Sequence, residues 1–347
     1  MSNFYSLANL GWQPHFQQQL SLEEWESVTP ARVIEQHKSE LQVITEQGTI
    51  SLPILASFPK LVVGDWILLD HSQKFIRLLE RKTCFSRKAA GTQQSTQLIS
   101  ANVDTAFIVC SLNEDFNLNR IERYLAVVNE SGATPVVVLT KSDLSHQVET
   151  QVQQVRELDP MLEIESLNCL DLSDVEKLQP WLKSGSTIAL IGSSGVGKST
   201  LINSLVGETQ QSTGGIRESD DKGRHTTTSR SLIMSPFGAM ILDTPGMREL
   251  QLADCETGLA RTFADIESLA QNCRFNDCQH QSEPGCAVQA AVDKGALEPR
   301  RLSNYLKLLK EEKLNSATLA ERRASDKALG RFYKTAQSSA SKFKRGD

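Results

Sequence analysis

Three clusters of residues carry types and spacings suited to chemistry. The first runs Gly192-Ser193-Ser194-Gly195-Val196-Gly197-Lys198-Ser199 and satisfies G-x-x-x-x-G-K-[ST] throughout. Its glycines permit backbone angles that turn successive N–H groups onto phosphate oxygens. Lys198 supplies charge for the β- and γ-phosphates and the Ser199 hydroxyl suits Mg2+. Thr200 opens a helix whose N-terminus adds partial positive charge. Downstream stands Asp243-Thr244-Pro245-Gly246, where Asp243 suits the Mg2+ shell and the Gly246 N–H suits a γ-phosphate. Between them, 209–230 is rich in Ser, Thr and Gly, and one of Thr226, Thr227 and Thr228 is expected to complete that shell.

The second cluster, Thr140-Lys141-Ser142-Asp143, addresses a base. A carboxylate at Asp143 accepts from guanine N1–H and the 2-amino group together. Adenine presents no such pair, so the expected nucleotide is GTP. Lys141 lies along the base plane in this reading, and Ser166 is a candidate for a further guanine contact. The third cluster, Cys273-x4-Cys278-x-His280-x5-Cys286, gathers three of seven cysteines into 14 residues. Three thiolates and one imidazole form a closed tetrahedral set, the donor choice of structural zinc. Cys84, Cys110, Cys169 and Cys255 are scattered and read as ordinary residues.

Such groups need elements to hold them. The apolar run 187–191 predicts a strand feeding the phosphate loop, and 200–206 the helix behind it, stopped by Gly207. Runs at 105–110, 135–139, 162–165 and 240–242 predict further strands. Helical spacing at Ile121, Tyr124, Leu125 and Val128, and over 147–158 and 175–182, fills the gaps. Strands alternating with helices imply an α/β domain with a parallel sheet covered on both faces. Upstream, 31–81 holds short apolar runs punctuated by Gly48, Pro53, Pro59 and Gly64, which predicts a small closed β-barrel of the OB or SH3 type, taken as OB-like. From 260 onward no strand pattern remains, so a helical unit is expected around the cysteine cluster. Ser21 and Glu24 read as a capping box. The expected division is an extension 1–30, a barrel 31–83, a linker 84–98, a P-loop domain 99–258 and a zinc-binding helical domain with a basic tail 259–347.

The 347 residues carry a net charge of −5, yet 298–347 holds 13 Lys or Arg against 6 Asp or Glu. That end reads as a phosphate-seeking arm, with Arg300, Arg301 and the cations of 322–345 as its contacts. No run of eighteen apolar residues exists, which excludes a membrane-spanning helix, and no secretory signal opens the chain. Seven cysteines are too few for a disulfide scaffold of this length. A cytoplasmic monomer without a membrane partner is expected.

The order of the motifs adds more. Ordinary small GTPases run phosphate loop, threonine switch, D-x-x-G, then [NT]-K-x-D; here T-K-S-D comes first. That circular permutation, preceded by a small barrel and followed by a Cys/His cluster, resembles the bacterial small-ribosomal-subunit-dependent GTPases, the RsgA family (also YjeQ or YloQ). The resemblance covers about residues 31–347. It implies a GTP hydrolase with Mg2+ and one structural zinc, acting in maturation of the small (30S) ribosomal subunit and binding 16S rRNA through its flanking units. It also implies slow turnover alone and stimulation by that subunit. Met247 follows Gly246 where Ras-like enzymes carry a water-orienting glutamine, and a thioether cannot orient water. His225 is the candidate replacement, and the resemblance points to the same residue; His225 and Lys198 form the expected catalytic pair. The alternative reading is a permuted GTPase serving a different protein or RNA complex.

Overall fold

The computed structural model describes residues 5–88, 96–113, 115–207, 230–243 and 254–316. Two short helices, α1 (Pro14–Gln17) and α2 (Leu22–Ser27), come first. Ser21 caps α2 as its spacing predicts: its hydroxyl accepts from Glu24 N while the Glu24 carboxylate accepts from Ser21 N. The segment is no appendage, because Leu10 and Phe16 are buried against Trp66, Leu68 and Leu79.

Five antiparallel strands follow: β1 (Thr29–Gln36), β2 (Glu40–Thr45), β3 (Gly48–Pro53), β4 (Trp66–Leu69) and β5 (Phe75–Leu78). They ladder in the order β3-β2-β1-β4-β5 around Val33, Val43, Leu52, Ile67 and Leu69. The register of β1 shifts between Val33 and Glu35, a bend that lets one strand serve partners on both edges. The barrel is open rather than closed. Its end strands β3 and β5 border a cavity of about 720 Å³ lined by Leu52, Leu55, Phe58 and Phe75.

The stretch expected as a linker carries β6 (Cys84–Lys88), which pairs antiparallel with β7 (Thr96–Ala101). Only Phe85 and Ile99 of this ladder's large apolar residues are fully buried, too few to show a period among polar neighbours. Then the alternating domain begins: β8 (Thr105–Ser111), α3 (Leu118–Ser131), β9 (Thr134–Thr140), α4 (Val148–Arg156), β10 (Glu163–Leu167) and α5 (Leu172–Val175). The helix expected over 175–182 is cut short to α5 and a 3-10 turn ending at Leu178, because Pro180 cannot continue it. β11 (Thr187–Ile191), α6 (Lys198–Val206), β12 (Arg230–Met234) and β13 (Met240–Asp243) complete the unit.

Strands β10-β9-β8-β11-β13 run parallel in that order. All seven residues of β8 are buried, as a strand covered on both faces requires. Ala106 and Ile108 meet Ile121 and Leu125 of α3 on one face, while Phe107 and Val109 meet Val175, Leu201 and Leu205 on the other. β12, absent from the expected strands, runs antiparallel to β13 and also pairs with β1 (Glu35↔Ser231, Gln36↔Arg230). One sheet therefore runs from the P-loop domain into the barrel.

Four helices end the described chain: α7 (Glu256–Thr262), α8 (Ala264–Ala270), α9 (Ala287–Asp293) and α10 (Pro299–Ser316). Leu259, Phe263, Leu302 and Tyr305 join the core beneath α3. At the crossing of α7 and α3, a Cβ on Gly258 would stand 2.1 Å from the Ala126 carbonyl oxygen, so only glycine fits. Arg300 and Arg301 are not free for phosphate. Arg301 is buried and donates to Asp265 and Glu122, and Arg300 donates to Glu122 and Asn119. The rest of the expected basic arm, 317–347, lies outside the described residues. Among those described, no helix is long and apolar enough to cross a membrane.

Candidate nucleotide and metal sites

The parallel strands deliver their carboxyl ends to one edge of the sheet. Successive strands leave β8 on opposite sides, β9 one way and β11 the other, and such a switch point is where open α/β sheets bind ligands. The loop 192–197 leaves β11 there. Gly192 has φ +153, and a Cβ on it would lie 2.2 Å from the Val109 carbonyl oxygen, so the loop crosses the end of β8 at a glycine-only distance. Gly197, at φ 99, caps α6 and aims the helix N-terminus back at the loop. Lys198 is buried, and its Nζ donates to the Gly192 carbonyl at 2.7 Å and to the Ser193 carbonyl. Ser199 and Thr200 occupy the first turn of α6.

The T-K-S-D residues reach across to this loop. Thr140, buried at the end of β9, donates Oγ1–H to the Val196 carbonyl at 2.6 Å. Lys141 stands in the left-handed region at φ 58, and its Nζ donates to the Gly195 carbonyl at 2.9 Å. Ser142 and Asp143 form the following 3-10 turn, with Asp143 exposed. Ser166 sits one strand further on β10, in register with Leu139 of β9. On the other side, Asp243 ends β13, whose Leu242 is paired with Ala189 of β11. His225, Thr226, Thr227, Thr228, Gly246 and Met247 lie outside the described residues.

Cys273, Cys278, His280 and Cys286 converge, their donor atoms all within 4.8 Å of one another. The Cys273 and Cys286 sulfurs stand 3.6 and 3.5 Å from His280 Nδ1 and 3.9 Å from each other. A tetrahedral ion with metal–sulfur bonds of about 2.3 Å and metal–nitrogen bonds of about 2.0 Å needs edges of about 3.8 and 3.5 Å, so the set fits such an ion. The surrounding turn is built for it. The Glu283 carboxylate accepts from Gln279 N, Gln281 N and Ser282 N, and these backbone bonds hold its pKa down at about 2. Gln289 fixes His280 by donating Nε2–H to its carbonyl at 2.6 Å. By contrast, burial pushes the thiols of Cys110, Cys169 and Cys255 up to about 12, which keeps them protonated.

Two residues of α3 escaped the motif reading. The Tyr124 hydroxyl lies 3.4 Å from that of Ser193 in the phosphate loop. Glu122, fully buried, accepts from Arg300, Arg301 and Asn304. A lone carboxylate beside the apolar stripe of Ile121, Tyr124, Leu125 and Val128 was the available signal, since such a group needs a cationic partner.

The model of the RsgA GTPase family matches residues 78–253. A Vibrio vulnificus protein named small ribosomal subunit biogenesis GTPase RsgA 2 is 58% identical over 340 residues, covering 98% of this chain and 97% of that protein. A Xanthomonas oryzae protein named small ribosomal subunit biogenesis GTPase RsgA is 46% identical over 308 residues, 86% of this chain and 84% of that protein. Among solved structures, YjeQ from Thermotoga maritima superposes with a TM-score of 0.62 at 25% identity, covering 82% of this chain and 98% of its own.

Proposed function

This chain belongs to the RsgA GTPase family, and from that premise we infer how its parts carry out GTP hydrolysis in small ribosomal subunit biogenesis. The observation that carries the reading is the bonding of Thr140 and Lys141 to the carbonyls of Val196 and Gly195. It makes the base-reading turn and the phosphate loop one rigid seat. In that seat Asp143 accepts from guanine, with Ser166 and Lys141 flanking the base. The N–H groups of Gly192, Ser193, Ser194, Gly195, Val196 and Gly197 face the phosphates together with Lys198. Charge held in place before the reaction stabilises the negative charge that develops on the transferring group.

Ser199, Asp243 and one of Thr226, Thr227 and Thr228 would hold Mg2+, which neutralises the β- and γ-phosphate oxygens when bound. Gly246 offers its N–H to the γ-phosphate, and His225 serves the attacking water that Met247 cannot orient. Cys273, Cys278, His280 and Cys286 would hold one zinc, whose binding energy is folding energy for the knuckle. The barrel and the helical unit bind 16S rRNA of the 30S subunit, and the protein works as a cytoplasmic monomer.

Release of phosphate from GTP by the purified chain, with and without small ribosomal subunits, tests the reading. Slow turnover alone and a severalfold or greater rise with subunits are expected. Asp143→Asn should shift preference toward xanthosine triphosphate, and elemental analysis should find one zinc per chain. No acceleration by subunits would leave a GTPase of some other complex.

A further inference from the structure

α3 touches both the phosphate loop and the C-terminal helices. Toward the loop it presents the buried Tyr124, whose hydroxyl stands 3.4 Å from that of Ser193. Ser193 is no bystander, since its carbonyl, like that of Gly192, accepts from the Lys198 ammonium. Toward the helices α3 is sewn down along its length. Glu122 accepts from Arg301 at 2.8 Å, Arg123 pairs with Glu311 of α10, and Asn129 donates to Thr262 of α7 at 2.9 Å. Glu130 accepts from Gly258 N at 2.7 Å. Adjacent residues on one rigid turn, Glu122 and Arg123 beside Tyr124, thus connect the C-terminal unit to the residue that touches the loop.

We propose that Tyr124 is a positioning residue for the phosphate loop, and that through α3 the seating of the C-terminal helices sets how well that loop holds a triphosphate. The proposal rests on reading 192–199 as the phosphate seat. Coupling of this kind is reciprocal, so triphosphate binding and helix seating strengthen each other by the same factor. A packed helix transmits a shift because the side chains on its two flanks cannot move independently.

The test uses the full chain and fluorescence competition with a non-hydrolysable GTP analogue and with GMP, which lacks the β- and γ-phosphates. Tyr124→Phe keeps the buried ring and removes only the hydroxyl. It should weaken the analogue about three- to tenfold, the range of one modest hydrogen bond, and leave GMP unchanged. In turnover it should raise KM more than it lowers kcat. Arg123→Ala, at the α10 contact, should weaken the analogue about twofold alone and add nothing in the Tyr124→Phe background, since both act along one route. Wild-type affinity in Tyr124→Phe, equal losses for GMP and the analogue, or simple additivity of the two variants would overturn the proposal. Lys198→Ala separates this failure from the other: if it loses the analogue while Tyr124→Phe does not, the seat stands and the tyrosine role falls. Unchanged binding in Lys198→Ala would remove the phosphate seat and this proposal together.

Discussion

The P-loop domain is joined to its two neighbours by different physics. On the barrel side, β1 continues the sheet through β12, and the buried Arg32 donates to the carbonyls of Leu10 and Asn102 and to the Thr187 hydroxyl. All three acceptors are neutral. Burial pulls the Arg32 pKa down to about 10, so the cation is held there at an electrostatic cost that Asp104 and Asp65 only partly offset. On the helical side, Glu122 and Asp265 bracket Arg301, with Arg300 and Asn304 completing the network. Burial lowers the Arg301 pKa, but the two carboxylates outweigh it and leave the pKa above its ordinary value. A seam of backbone pairs tolerates the loss of one side chain. A buried charge network does not, because each member removed leaves another charge uncompensated.

That contrast can be broken at either seam. The largest loss is expected for Glu122→Ala, which takes from Arg300, Arg301 and Asn304 the one carboxylate they share, at a fully buried position. Removing one partner of such a network costs about 3–5 kcal/mol, read as a fall in urea-unfolding stability of the full chain. Arg32→Met should cost less, about 1–3 kcal/mol, the penalty of acceptors left unpaired. It also removes a cation that burial disfavours, while the β1–β12 ladder remains. Equal losses in the two variants would erase the distinction between the seams.

The smallest effect belongs to the half-buried contact between Glu24 and Arg77. Arg77 and the Ser21 amide hold the Glu24 carboxyl at about 2 instead of 4.5. A lowered carboxylate pKa means the contact stabilises the fold above 4.5 and is lost as the pH falls toward about 2. Glu24→Gln should therefore unfold slightly earlier than wild type at neutral pH. The two unfolding midpoints should converge through that acid window. A gap that persists at the acid end would mean that Glu24 acts through packing and not through its charge.

Legibility followed the distance between partners. The capping box at Ser21, the glycines around Lys198 and the knuckle of Cys273 to Cys286 are local, and each was readable because a few neighbouring residues satisfy one another. The barrel strands were readable as short apolar runs, but the open side between β3 and β5 was not, since unpaired edges leave no mark on composition. β12 was missed beside a long polar stretch, and β6 and β7 were hidden by polar residues on the face away from Phe85 and Ile99.

The sequence by itself determined the candidates for chemistry: a loop whose glycines and lysine suit phosphate, a carboxylate that suits guanine and four side chains whose types suit one metal ion. Those depend on residue type and on spacings shorter than a turn or two of chain. Only the tertiary structure decided which distant groups meet. Thr140 bonds across 56 positions to Val196, Arg32 across 155 to Thr187, and Arg301 across 179 to Glu122. The physical reason is that a buried donor or charge must find a partner somewhere, and nothing local in the chain says where the fold will bring one.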